Sequence, residues 1–60
     1  MNKYLEDPVI NELLDELERL SIKIRIARKL NDYHQVSFCV GMFYATCGKI
    51  YMRNEELDNE

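Results

Sequence analysis

Between Tyr33 and Gly48 the chain runs for sixteen residues, YHQVSFCVGMFYATCG, without one Asp, Glu, Lys or Arg. In a chain that is otherwise heavily charged, such a segment belongs in a core. Read as a helix it is apolar on nearly every side, so one neighbouring helix cannot cover it. Part of its surface must pack within the chain, and the remainder must meet something else.

The first neighbour is upstream. Apolar residues fall at Ile10, Leu13, Leu17, Leu20, Ile24 and Ala27, spaced 3, 4, 3, 4, 3, which is the repeat of a two-helix packing seam. Val9, Leu14 and Leu30 widen it. The same spacing returns at Tyr33, Val36, Val40, Phe43, Cys47 and Ile50. Asp7-Pro8 marks the start of the first helix, because Asp caps a helix and Pro is tolerated in its first turn. Asn31-Asp32 is the break, since both residues favour turns and caps. The reading is all-α: one small helical domain forming an antiparallel two-helix hairpin. Helix 1 spans about 8–30, the turn 31–32 and helix 2 about 33–53, with a polar lead before and a frayed acidic tail at 54–60.

A competing pattern exists. Leu20 to Arg28, LSIKIRIAR, alternates apolar and polar residues as a half-buried strand would, and VSFCVGMFY also has a period of two. A helix followed by a β-hairpin built from 20–28 and 36–44 is therefore the alternative fold. The helical reading is preferred because the seam begun at Ile10 continues in phase through Ala27 with no Gly or Pro in it.

At 60 residues a lone fold is marginal, and chains of this size draw support from disulfides, a metal or oligomerisation. Cys39 and Cys47 are separated on a helix by roughly 12 Å of rise, beyond the roughly 4.4–6.8 Å that a disulfide spans between Cα atoms. With no CxxC and one histidine, His34, neither a structural metal nor another cofactor is expected. Oligomerisation remains. Ser37, Gly41 and Ala45 form a row of small residues on helix 2, and Gly41 in a helix interior asks for a packing reason; Gly48 is a possible helix end. Phe38, Met42, Tyr44 and Tyr51 lie off the helix 2 seam, and Ile22 and Ile26 lie off the helix 1 seam. The expected contact surface, for a copy or a partner, is Ile22, Ile26, Phe38, Gly41, Met42, Tyr44, Ala45 and Tyr51.

Charge argues the same way. Residues 1–18 are net −5, residues 19–31 net +5 and residues 32–60 net −3, giving −3 for the chain. The order of charge along helix 1 suits its dipole, and antiparallel pairing between copies matches acidic with basic segments. A four-helix-bundle-like homodimer is expected.

The basic segment Arg19, Lys23, Arg25, Arg28 and Lys29 is the feature most suggestive of a ligand, since a phosphate backbone could lie along it. A solvated face complementing the dipole and a partner chain is the preferred reading in an acidic protein. Glu12 and Glu16 share a helical face, but no ExxH accompanies them. No glycine-rich phosphate loop is present, His34 has no nucleophile partner at a recognisable spacing, and apolar surroundings suppress thiol reactivity at Cys39 and Cys47. Glu55-Glu56-Leu57-Asp58 resembles the end of the Ser-Gln-Glu-Leu-Asp signature of small aspartyl-phosphate phosphatases of sporulation phosphorelays; the Ser-Gln pair and a following helix are lacking, and no site is carried over.

The N-terminal residues contain no apolar signal region, the uncharged run falls short of the about 20 residues of a membrane span, and two unpaired thiols suit a reducing cytoplasm. The functional expectation is a non-enzymatic cytoplasmic regulator that self-associates and binds another protein to modulate or inhibit it, of the size that phages and other mobile elements encode. The alternative is a nucleic-acid-associated regulator using the basic segment.

Overall fold

The computed structural model describes residues 2–60 and consists of three helices: α1 (Lys3–Glu6), α2 (Pro8–Lys29) and α3 (Tyr33–Asp58). No strand occurs among the described residues, so the alternative with a β-hairpin is set aside. Residues 20–28 and 36–44 lie inside α2 and α3. The alternation of isoleucines was ambiguous because a seam of period 3.5 and a strand of period 2 share Leu20 and Ile24. The two readings separate at Ile22 and Ile26, which are exposed while Leu20 and Ala27 are buried.

Asp7 starts α2 as expected. Its carboxylate accepts from the Ile10 amide at 3.0 Å, and Pro8 occupies the first turn, where its missing N–H has no helical partner to lose. Along α2 the seam falls as its spacing requires: Ile10, Leu20 and Ala27 are buried, and Leu13, Leu17 and Ile24 half-buried. Val9, Leu14 and Leu30, on its flanks, remain exposed.

The reversal is a two-bond helix stop followed at once by a new cap. Asn31 takes φ 57°, a left-handed conformation that Asn tolerates better than most residues. Its amide donates to the Arg28 carbonyl at 3.1 Å, and the Asp32 amide donates to the Ala27 carbonyl at 2.9 Å, satisfying carbonyls that the end of α2 would leave bare. The Asp32 carboxylate then accepts from the Gln35 amide at 3.2 Å and begins α3. Two residues thereby turn the chain through an antiparallel hairpin.

Three expectations about α3 need correction. The helix does not end at Gly48 or at Arg53 but runs to Asp58, because no proline or left-handed glycine interrupts it and Leu57 extends the apolar seam into a buried position. The acidic tail is accordingly mostly helix, stopped when Asn59 donates to the Glu55 carbonyl at 2.9 Å. Tyr33, counted in the seam, is exposed at the first turn, beyond the reach of α2. The polar lead also has structure: Asn2 caps the single turn of α1 by accepting from the Tyr4 amide at 3.0 Å.

The seam of α3 is also shifted: Cys39 and Thr46, neither of them in the expected seam, are buried, whereas Val36, Val40, Phe43, Cys47 and Ile50 are only half-buried. The line packed on α2 therefore runs through Cys39, Phe43, Thr46, Ile50, Arg53 and Leu57, with Val40 and Cys47 on its flank. The Thr46 hydroxyl donates to the Met42 carbonyl at 2.9 Å, which lets a polar side chain sit there without an unpaired proton. The result is a hairpin of 44 × 17 × 11 Å, a layer one helix thick.

The strain at the turn is testable. Asn31→Val is expected to destabilise the hairpin by about 1–2 kcal/mol, the cost of a side-chain-bearing residue held in the left-handed region, whereas Asn31→Gly is expected to leave stability unchanged or raise it. Urea unfolding followed by far-ultraviolet circular dichroism measures both, and equal losses in the two variants would contradict the account of the turn.

Candidate interaction surface

A two-helix layer has an inner seam and much outside, and the outside of this one is apolar in places. Among the described residues, twelve large hydrophobic side chains are exposed. The eight residues expected to contact a copy or a partner all lie outside the core, and the fold distributes them. At 100° per residue, Ile22 points away from the Ile10–Leu20 line, on the side of α2 remote from α3. Ile26 borders a groove near the turn with Lys23, Ala27, Leu30 and Gln35. Met42 lies on one flank of the hairpin, in a groove of mixed polarity with Val9, Leu13, Glu16, Arg19 and Lys49. Tyr44 lies on the opposite flank, over a largely apolar groove lined by Ser21, Ile24, Val40 and Phe43.

The remaining candidates share the outer side of α3. Phe38, Gly41, Ala45 and Tyr51 are all exposed there, with Tyr44 at 72% and Phe38 at 65% exposure. Met52, seven residues beyond Ala45 and equally outward, belongs with them; the period of seven was the signal that would have found it. A side chain at Gly41 or Gly48 would meet nothing within 4 Å. The small row is therefore not used to bring α2 close, and each glycine costs its helix about 1 kcal/mol relative to Ala without a return inside the hairpin.

The basic segment is divided between two places on α2. Arg19 donates to Glu16 at 2.6 Å, a contact that holds the Glu16 carboxyl below its ordinary range and the Arg19 guanidinium above its own. Lys23 lies on the Ile26 flank, while Arg25, Arg28 and Lys29 together line a shallow depression beside the turn. Folding also merges the three charge blocks of the sequence into two poles. The turn half, residues 19–48, has five basic groups against Asp32, net +4; the remaining residues, at the open end, have ten acids against Lys3, Lys49 and Arg53, net −7.

The open end is held by a polar clasp. Arg53 Nε and Nη2 donate to the two oxygens of Asp7 at 2.9 and 2.8 Å, and Nη1 donates to Glu56 at 2.9 Å. Arg53 falls seven residues after Thr46 and fourteen after Cys39, so the line that buries those two also carries the arginine inward. Sequence reading treated Asp7 only as a cap and did not assign Arg53 a role. Lys3 Nζ donates to the Leu57 carbonyl at 3.2 Å, the Tyr4 hydroxyl donates to Asp58, and Asn11 Nδ2 donates to the Leu5 carbonyl at 2.8 Å; together these dock α1. The hydrogen bond to Asp58 raises the Tyr4 phenol above its ordinary value. Hydrogen bonding to Arg53 holds the Asp7 carboxyl below the usual carboxylate range and raises the Arg53 guanidinium.

Among the described residues no group of three or more His, Cys, Asp and Glu is arranged to hold a metal ion, and no helix is long and apolar enough to cross a membrane. Both cysteines are free, Cys39 buried and Cys47 half-buried. Comparisons of the chain with protein-family models, with curated proteins and with solved structures find no significant match. The geometry of the surface is thus the whole basis for a functional reading.

The clasp has a signature in acid. Because the Asp7 carboxyl titrates lower in the folded chain than in the unfolded one, its stabilising effect is full above the unfolded value of about 3.9 and is lost as pH falls through the lower folded value. The thermal midpoint is expected to drop in that acid window, and Asp7→Asn is expected to start lower and drop less steeply. An identical acid profile in the variant would remove Asp7 from the account.

Proposed function

We propose that this chain is a small non-enzymatic regulator that self-associates and binds another protein, modulating or inhibiting it. One observation carries the reading: the hairpin leaves more apolar surface outside than two helices can cover. A compact chain of 7.2 kDa has an accessible surface of about 4,100 Å², whereas this one exposes 4799 Å². Its radius of gyration is 13.8 Å, against about 10 Å for a compact domain of this length. Surface of that kind on a small protein marks interaction sites. The outward residues fall on two helices, Phe38, Tyr44, Tyr51 and Met52 on α3 and Ile22 and Ile26 on α2, which supports two contacts rather than one. The free thiols suit a reducing cytoplasm.

A second reading is favoured by the net +4 of the turn half and the depression lined by Arg25, Arg28 and Lys29. These residues would serve an anionic partner such as nucleic acid, binding mostly through phosphates. The acidic open end works against it by repelling the same polyanion.

Tagged protein passed through an extract of its native host is expected to retain a specific protein partner. Ile22→Glu with Ile26→Glu is expected to abolish that retention while leaving helicity and sedimentation unchanged. Binding to duplex DNA is expected to be weak at physiological salt. Tight binding with a steep negative salt slope, lost in Arg25→Glu with Lys29→Glu, would instead establish the second reading.

A further inference from the structure

We infer that the outer face of α3 is covered by the same face of a second copy, running antiparallel, with Gly41 of each copy against Gly48 of the other. This rests on the self-association proposed above and specifies its face, its direction and its register.

The argument begins with a line of residues. His34, Gly41, Gly48 and Glu55 are spaced by seven, and all four are exposed along the outside of α3. A spacing of seven keeps residues on one line only when two helices wind round each other with a left-handed twist. α2 packs on the other side of most of this repeat, and where Gly48 borders a groove shared with Val9 and Leu13 that groove is open. Nothing uses the missing side chains of the glycines, which leave open space in the single chain. On either side of the line stand Phe38 and Met52 and the rings of Tyr44 and Tyr51, all exposed, so the line is the floor of a trough with apolar walls.

Reversal fixes the direction. A two-fold contact requires a surface complementary to itself. Turned end for end about a point between Tyr44 and Ala45, the line matches itself: glycine meets glycine twice, and His34 meets the Glu55 carboxylate of the other copy at both ends. The walls also match, with Phe38 beside Met52, an aromatic ring against a thioether, and Tyr44 beside its own symmetry mate. A parallel pairing would put Glu55 against Glu55 and set like poles together. The antiparallel one sets the +4 half of each copy against the −7 half of the other, a complementarity that selects orientation more than affinity. An ordinary stable interface covers roughly 800 Å² per partner, about one-sixth of the 4799 Å² that the chain exposes.

The test combines mass with direction. Sedimentation equilibrium at micromolar concentrations is expected to give a dimer for the native chain. Gly41→Leu is expected to keep the full helical signal, since the added side chain enters open space and Leu is a good helix former, but to lose the dimer. For direction, His34→Cys and Glu55→Cys variants are mixed in equal amounts and oxidised, and the bridges are mapped by mass spectrometry. The expected product joins position 34 of one chain to position 55 of the other. Bridges joining 34 to 34 and 55 to 55 in a dimeric mixture would overturn the antiparallel register while leaving self-association standing. A Gly41→Leu chain that remains a dimer would overturn the assignment of the face. A monomeric native chain would overturn both this inference and the self-association on which it rests.

Discussion

The contact on which this hairpin depends is the paired hydrogen bond between Arg53 and Asp7. Antiparallel folding brings the acidic start of α2 beside the acidic end of α3, so the open end gathers a net −7 that pushes the helices apart. The apolar seam is thin there, with Ile10 and Leu57 as its buried side chains. Asp7 answers with one carboxylate that does two things: it caps α2 and it accepts both prongs of Arg53. A bidentate guanidinium–carboxylate pair constrains position and angle as well as distance. Because withdrawing ions from water offsets much of their attraction, such a pair contributes to register more dependably than to net stability. Here it fixes which turn of α3 lies against the cap of α2, and the docking of α1 through Lys3 and Tyr4 follows from that placement.

The two long helices are not equivalent. α2 buries one line and is charged over most of its exterior, where Val9, Leu14, Ile22 and Ile26 stand exposed among the charges. α3 has a largely apolar inner line and, on its outside, a row of exposed apolar side chains, Phe38, Tyr44, Tyr51 and Met52, and a hairpin can bury only the first. The inner line, through Cys39, Phe43, Thr46, Ile50, Arg53 and Leu57, meets α2. The outer row has no partner within the chain. That imbalance explains the shape: a layer 11 Å thick lacks the second layer that buries both sides of its elements in most folds. The turn contributes by being short. A left-handed Asn31 followed directly by the Asp32 cap leaves no loop long enough to fold back over the exposed face.

Much of this was written in the sequence in a form that pattern can reach. The seam of α2, its start at Asp7-Pro8 and the turn at Asn31-Asp32 are local features, each specified by residue types within a few positions, and the helical state of the long arms follows from phase kept over several turns. The errors have a common cause. Arg53, Leu57 and the four residues of α1 depend on contacts between the two ends of the chain, and a reading that proceeds locally treats charged termini as frayed. The eight residues expected at a contact were legible only in part. Each residue was correctly expected off the seam, but off the seam is not one place: Ile22 and Tyr44 face different directions, and only the rotation of each helix about its axis, set by packing, assigns them to a side.

That separation bears on how one small chain would serve two contacts. If α3 meets α3 across the glycine line, Ile22 stays on the far side of α2 from the new interface, and the proposed partner contact would not compete with assembly for the same side chains. Antiparallel pairing would also carry two copies of that α2 surface to opposite faces of the dimer, related by the two-fold axis. A partner engaged through Ile22 and Ile26 would then be bound in pairs, and the gain from double attachment would depend on whether its two sites can span the thickness of the assembly. The charge poles act in the same sense. In the proposed dimer each basic half would lie against an acidic half, which would screen Arg25, Arg28 and Lys29 from a polyanion and leave apolar contact as the stronger basis for recognising a partner.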